Sequence, residues 1–379
     1  MNPKPCFRCG NQNYNLFYLN NHKWYCRRCI DFNKPVLKIN KFISPKNVSP
    51  NLTYNLSDKQ LKLSHIINQS KSDIYVSAVT GSGKTEVTLK VIAEAIKKGM
   101  RVGFIIPRKA IVIEIAARLR KIFPSLKVVE VYHDTKYDYD GDIVVLTAHQ
   151  SYRYINKFGL IIIDEYDAFP LIDNQVLKDI VNRTCFGKRV YLSATFKEAD
   201  LINKKVGYLN SRYHNKPLPQ PEFNKTDNIT ALIKLIGIVK HNKSKRIIIY
   251  FPTIKILKVY LFLIIFAVRD IIVIHSKIKQ AHHLIKQLVV KEKFIVFSTI
   301  LLERGITIPR VNVYVFNADH ILFSKANLIQ IAGRVGRVKA YPEGEVVFFG
   351  NRKSKNVVEA IEHISTINHN MYHLPKSGQ

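Results

Sequence analysis

The sequence predicts an α/β chain, two tandem parallel-sheet domains preceded by a small cysteine-rich module. Three observations predict it. Apolar strand-like runs alternate with helix-length segments along most of the 379 residues, the pattern of parallel sheets with helical crossovers. A glycine-rich turn, Ala78-Val79-Thr80-Gly81-Ser82-Gly83-Lys84-Thr85, joins such a strand to such a helix, and a second signature, Gln330-Ile331-Ala332-Gly333-Arg334-Val335-Gly336-Arg337, lies far downstream. Ahead of both stand four cysteines in two CxxC pairs.

The module, residues 1–45, comes first. Cys6-Phe7-Arg8-Cys9 and Cys26-Arg27-Arg28-Cys29 are separated by 16 residues. Four thiolates at this spacing suit tetrahedral Zn²⁺ bound by Cys6, Cys9, Cys26 and Cys29. So short a segment buries little apolar surface, so metal would supply much of its folding energy. Two disulfides or an iron–sulfur centre are the alternatives; the symmetric pairs favour zinc. Met1-Asn2-Pro3-Lys4-Pro5 leads straight into the first pair with no visible signal peptide, which disfavours an oxidising compartment. Trp24 and Tyr25, beside Arg8, Arg27 and Arg28, suit either a nucleic-acid-binding tip or the module's own mini-core. Cys185 stands alone, with no chemistry expected of it.

Lys46 to Leu56, with Pro45 and Pro50, reads as a linker into the first domain, residues 46–212. Asp73 to Ser77 reads as a strand and Glu86 to Ile96 as a helix. Between them, Gly81 and Gly83 let the loop Gly81-Ser82-Gly83 turn its N–H groups toward phosphate oxygens. The helix adds its positive dipole end. Lys84 is placed to reach the β- and γ-phosphates, and the Thr85 hydroxyl to bind Mg²⁺. Ala78 departs from the strict pattern, which has Gly there. Strands at Val102–Ile106 and Asp142–Leu146 end in Pro107-Arg108-Lys109 and Thr147-Ala148-His149-Gln150. Leu160 to Ile163, a continuous apolar run like a buried parallel strand, ends in Asp164-Glu165-Tyr166-Asp167. Asp164 is suited to hold Mg²⁺, and Glu165 to orient or deprotonate an attacking water. The strand Arg189–Leu192 ends in Ser193-Ala194-Thr195.

His214 to Pro221 is the hinge candidate, and the second domain, residues 213–379, alternates again: Arg246–Tyr250, Ile254–Phe266, Ile271–Ile274. Val259 to Val268 holds ten uncharged residues, where a membrane helix needs about 20. It reads as a buried helix, not an anchor. Arg334 and Arg337 offer cations to a γ-phosphate held by another domain, as arginine fingers do. Fifty-nine Lys and Arg against 28 Asp and Glu give a formal charge of +31, a balance that suits a polyanion partner. A compositional bias toward Asn, Ile and Lys contributes to it.

Taken in order, these motifs resemble those of superfamily 2 helicases and translocases, built on RecA-like domains, over roughly residues 51–350. The runs Asp164-Glu165-Tyr166-Asp167-Ala168-Phe169-Pro170, Leu301-Leu302-Glu303-Arg304-Gly305-Ile306-Thr307 and Gln330 to Arg337, with the cysteine module, are similar to the ComFA family, late-competence ATPases of transformable Gram-positive bacteria. The resemblance implies that Gln60, in Leu56-Ser57-Asp58-Lys59-Gln60, reads adenine. It implies that Pro107, Arg108, Lys109, Thr147, His149 and Gln150 contact a nucleic-acid backbone, with Thr299 in the second domain. Ser193, Thr195, Arg304 and Gly305 would couple nucleotide state to the strand, and Gln330 would position the water or the γ-phosphate. ATP, Mg²⁺ and Zn²⁺ are the implied cofactors. Single-stranded DNA is the implied partner, with a ComFC-like protein and a DNA-uptake channel reached from the cytoplasm. Tyr166 and Phe196 depart from the family pattern. Two other readings compete: a primosomal-type replication-restart helicase, and a zinc-dependent DNA-binding scaffold whose ATPase has decayed. A module lying ahead of the motor domains is expected to leave basal ATP turnover independent of it.

Overall fold

A computed structural model describes residues 3–32, 35–135, 138–196, 198–241, 245–264, 270–278, 281–300 and 308–372. The chain divides into two compact units: Met1–Ala78 with Gly83–Leu209, and Val79–Ser82 with Asn210–Gln379.

The first unit begins with an antiparallel hairpin, β1 (Phe17–Asn20) and β2 (Lys23–Cys26). Asn21 and His22 both take positive φ, 45° and 60°, as a two-residue turn matched to strand twist requires. The module is fastened to the unit. Arg28 donates to Asp179 at 2.7 Å, Arg183 Nε donates to the Phe7 carbonyl at 3.1 Å, and Cys9 and Cys29 share a small core with Tyr152, Ile155 and Ile180. The segment read as a linker is fastened too. Lys46 pairs with Asp142 at 2.6 Å, Asn51 N donates to Ile122 O at 2.9 Å, and Val48 enters the main core.

Next come α1 (Asp58–Gln69), β3 (Ile74–Ala78), α2 (Leu89–Lys97), β4 (Val102–Ile106), α3 (Lys109–Ile122), β5 (Val128–Val131) and β6 (Ile143–Thr147). They are followed by β7 (Phe158–Asp164), α4 (Gln175–Arg183), β8 (Cys185–Ser193), α5 (Glu198–Leu201) and β9 (Val206–Leu209). The seven strands β3 to β9 form one parallel sheet in the order β5-β6-β4-β7-β8-β3-β9. Helices cover both faces, so β4 and β6 are buried throughout, which is why they read as unbroken apolar runs. The expected strands appear within a residue or two of their predicted ends, except that the one expected from Arg189 starts four residues earlier, at Cys185. The expected helix from Glu86 instead opens with a 3₁₀ turn, Glu86–Thr88, because the Thr88 N–H and hydroxyl both donate to Thr85 O, at 3.1 and 2.7 Å.

The second unit holds β10 (Glu222–Lys225), α6 (Asn228–His241), β11 (Arg246–Tyr250), α7 (Ile254–Ile264), β12 (Ile271–Ile274) and α8 (Ala281–Val290). It continues with β13 (Phe294–Ser298), β14 (Val311–Val315), α9 (Lys325–Ala332), β15 (Val346–Gly350) and α10 (Lys355–Tyr372). Its six strands are again all parallel, in the order β10-β15-β14-β11-β13-β12. The apolar helix α7 corrects one expectation: it is buried on one face only. Leu257, Tyr260 and Ile264 pack inward at three- and four-residue spacing, while Val259, Phe262 and Leu263 are exposed. Residues 265–268 of that apolar run lie outside the described residues.

Candidate nucleotide site and cysteine centre

In the first sheet β8 lies between β7 and β3. That order brings three strand ends together, with Asp164 paired to Leu192 and Ser193 paired to Ser77. The carboxyl edge of a parallel sheet is where such folds take ligands. The glycine-rich loop leaves β3 at this edge. Gly81 and Gly83 have φ of +79° and +85°, a region a side chain rarely enters. At Gly83 the space is also taken: a Cβ would stand 2.3 Å from Gln60 Nε2. Gln60 is buried and closes a capping box on α1, where its Oε1 accepts from Ser57 N at 2.9 Å. The expected adenine reader is therefore held against the phosphate loop by the start of its own helix. Lys84 is half-buried, and Ser82 and Thr85 are buried.

Asp164 ends β7, and its Oδ1 accepts from the Glu165 N–H at 3.0 Å. Glu165 takes φ of 55°, so the chain turns sharply between the two acids. Asp167 completes the group: its oxygens accept from Ser193 Oγ and Thr195 Oγ1, each at 2.5 Å, and Ser193 Oγ accepts from Thr195 N at 2.9 Å. One carboxylate thus ties the turn after β7 to the turn after β8. The repeated acid of Asp-Glu-Tyr-Asp was the only sequence signal for it. Buried Glu86, beside the loop, accepts at Oε1 from Tyr54 OH at 2.9 Å and from Arg118; nothing local in the sequence marks that trio.

Tyr166 and Phe196, the two departures from the family pattern, meet in one aromatic cluster. Their rings lie 6.5 Å apart, and both approach Tyr75, whose ring stacks on Tyr191 at 4.4 Å. Burial pushes the Tyr166 phenol up to about 12.

The residues expected at the nucleic-acid backbone start at neighbouring strand ends, because β4 pairs with β6. Pro107, Arg108 and Lys109 follow β4. Lys109 pairs with Asp134 at 2.5 Å and lies over the Tyr132 ring. Thr147 ends β6, the Gln150 carboxamide accepts from Arg153 Nε at 2.7 Å, and exposed His149 stacks near Phe32 of the cysteine module, 6.4 Å between centroids.

On the second unit, Gln330 sits in α9 and Arg334 and Arg337 in the turn after it. Arg334 is buried, and Arg337 Nε donates to Gly333 O at 2.9 Å. The turn has a brace that the sequence did not reveal. Arg212, 1% exposed, donates to the carbonyls of Gly333, Val335 and Gly336 at 3.0, 2.7 and 2.6 Å. His214 Nε2 stands 3.0 Å from the Gly336 carbonyl, and burial draws Arg212 down to about 10. Thr299 follows β13; Arg304 and Gly305 lie outside the described residues.

All five cysteines are free, which sets the disulfide reading aside. The four sulfurs of Cys6, Cys9, Cys26 and Cys29 lie within 4.8 Å of one another, with Cys6–Cys29 at 3.5 Å and Cys9–Cys26 at 3.8 Å. Sulfurs each ~2.3 Å from one tetrahedral ion stand ~3.8 Å apart, so the cluster fits Zn²⁺. The Cys29 thiol holds Cys6 down to about 4 through their hydrogen bond, while that contact and burial push Cys29 up. A bound cation removes this conflict by favouring thiolate at every position. Cys185 is buried in the first unit, where its thiol donates to Lys188 O at 3.3 Å and burial pushes it up to about 11.

The DEAD/DEAH box helicase family matches residues 57–202, and the helicase conserved C-terminal domain matches residues 227–339. Competence protein ComFA of Bacillus subtilis (strain 168) is 31% identical over 96% of this chain and 85% of its own length. The chain belongs to the ComFA family. ComFA of Streptococcus pneumoniae (strain R6) is 30% identical over 96% of this chain and 90% of its length. Replication restart protein PriA of Rickettsia felis is 29% identical over 44% of this chain and 29% of its own length. DEAD-box helicase Mss116, solved bound to ssRNA and UDP-BeF, superposes with a TM-score of 0.63 at 21% identity, covering 78% of this chain and 70% of that one, which identifies both sheets as RecA-like. As a ComFA-family protein with both helicase domains, the chain is an ATP-hydrolysing superfamily 2 enzyme. Among the described residues, no helix is long and apolar enough to cross a membrane.

Proposed function

We propose that this enzyme is a single-stranded-DNA-stimulated translocase that draws a strand inward during natural transformation, with a ComFC-like protein and an uptake channel as partners at the inner face of the membrane. The observation that carries the reading is similarity to two ComFA proteins over 96% of the chain, against 44% for a restart protein. Lys84 and the loop amides from Gly81 to Gly83 hold the phosphates, Thr85 and Asp164 hold Mg²⁺, and Gln60 reads the adenine. Mg²⁺ supplies neutralisation of phosphate charge; Glu165 orients and deprotonates the attacking water. Gln330, Arg334 and Arg337 serve the transferring phosphoryl group. Asp167, by clamping Ser193 and Thr195, relays changes at the acids to the turn after β8. Zn²⁺ on the four cysteines has no open position, so its role is structural.

Arg108, Lys109, Thr147, His149, Gln150 and Thr299 grip phosphates, not base edges, so binding is nearly blind to sequence. The test is ATPase rate with no polymer, single-stranded DNA, duplex DNA and RNA, across a salt series. Single-stranded DNA should stimulate most, with affinity falling on a log–log plot by about 0.7 per neutralised phosphate. Arg334→Ala should still bind DNA but lose the stimulation. Equal stimulation by RNA, or none by single-stranded DNA, would overturn the reading.

A further inference from the structure

We propose that the cysteine module carries a second single-stranded nucleic-acid site, a groove in which unpaired bases stack on aromatic rings. This rests on the reading of the enzyme as a translocase on single-stranded DNA. A cavity of about 590 Å³ opens on the module, lined among others by Lys4, Phe7, Arg8, Lys23, Trp24 and Tyr25, a volume typical of small-ligand sites. Phe7, Trp24 and Tyr25 are 58%, 44% and 45% exposed. The mini-core reading would bury these rings; the structure leaves them at the surface.

Charge selects the occupant. Among the described residues no acidic one lines the groove, and between Pro3 and Phe32 there are five Lys and Arg against one Asp. Four thiolates around a divalent ion carry a net −2, which that excess outweighs. Aromatic faces interleaved with cations are the footprint of a single strand: phosphates meet the cations and bases stack on the rings, whereas a duplex hides its base faces. Protein-docking surfaces are, by contrast, depleted in Lys at their cores. The groove is also rigidly placed. The Arg28–Asp179 pair and the Arg183–Phe7 bond fix the module on the first unit, and Phe32 stacks near His149, a residue assigned to the phosphate track.

Trp24 is the single tryptophan of the chain, so its emission reports this groove directly in the intact, zinc-loaded protein. A dT oligomer should quench it saturably, an abasic oligomer of equal length much less, and a duplex or polyglutamate hardly at all. In anisotropy titrations with labelled dT, Trp24→Ala should weaken affinity about tenfold, and Trp24→Phe should keep most of it. Lys23→Glu, a change at an exposed residue, should weaken it as well. If labelled dT binds the protein but Trp24 emission does not respond and all three variants bind like wild type, the groove is not a site, while the translocase reading stands. If dT neither binds nor stimulates ATPase, the translocase reading fails and this proposal with it. Equal quenching by polyglutamate would mark an acidic-protein surface instead and overturn the proposal.

Discussion

A single carboxylate, Asp167, holds together two turns that the sequence places 26 residues apart. The roles proposed for Lys84 and Glu165 differ in kind, and their variants should show it. Lys84→Ala should abolish turnover and also weaken ATP affinity, if the ammonium binds phosphate as proposed. Glu165→Gln should abolish turnover while ATP stays bound, if the carboxylate acts on water as proposed. Nucleotide binding measured beside turnover separates the two, and near-normal turnover in either would remove it from the site. At this scale Lys84, Asp164, Glu165, Ser193 and Thr195 stand out in the sequence because each lies in a short run at or just after a strand's end. The meeting of Tyr166 with Phe196 was not legible. Their common partner, Tyr75, comes from β3, far from both in sequence, and its ring stacks on Tyr191 of β8; only the sheet order makes them neighbours.

Elements explain why some expectations needed correction. The uncharged run from Val259 reads as a buried helix, yet a helix packed on one sheet face buries only a stripe. Leu257→Ala should therefore cost about 2–5 kcal/mol in denaturant unfolding, and Phe262→Lys less than about 0.5 kcal/mol; comparable losses would mean the outer face is covered. The turn after α9 depends on Arg212, whose planar guanidinium reaches three carbonyls at once. A lysine cannot match that fork. Arg212→Ala should cost about 3 kcal/mol, because the buried Val335 carbonyl loses this donor while Gly333 keeps Arg337 and Gly336 keeps His214 nearby, and because a large buried side chain is removed. Arg212→Lys should lower kcat with little change in KM for ATP, because the turn carrying Arg334 and Arg337 loosens. An unchanged kcat would limit Arg212 to a structural role. No local pattern marks Arg212, since its partners lie more than 120 residues downstream.

For the whole molecule, the cysteine module proves to be part of the first unit, not an appendage ahead of it. Cys9 and Cys29 share a core with Tyr152, Ile155 and Ile180, and these lie close to the segment carrying Thr147, His149 and Gln150. The wild-type protein should carry one zinc per chain, and Cys26→Ser/Cys29→Ser should lose it. The expectation that basal turnover ignores the module then changes. The double variant should unfold at lower denaturant and lose DNA stimulation, with basal turnover only partly retained. Zinc content, unfolding midpoint and stimulated rate check this on one preparation; full zinc retention would refute the ligand set. The four-cysteine spacing was plain in the sequence. The docking was not, because Asp179 and Arg183, which receive the module, belong to α4, far along the chain.

The position of β3 has a consequence for how the protein is made. Its only sheet neighbours are β8 and β9, and β8 begins at Cys185, more than a hundred residues after β3 ends at Ala78. At about 5–20 residues per second, a ribosome takes roughly 5–20 s to supply that partner. Until then Ile74 and Val76 have no strand beside them, and the phosphate loop has no seated strand to leave from. ATP therefore cannot help the first unit fold during most of its synthesis; it can only hold the unit once β8 has slotted between β3 and β7.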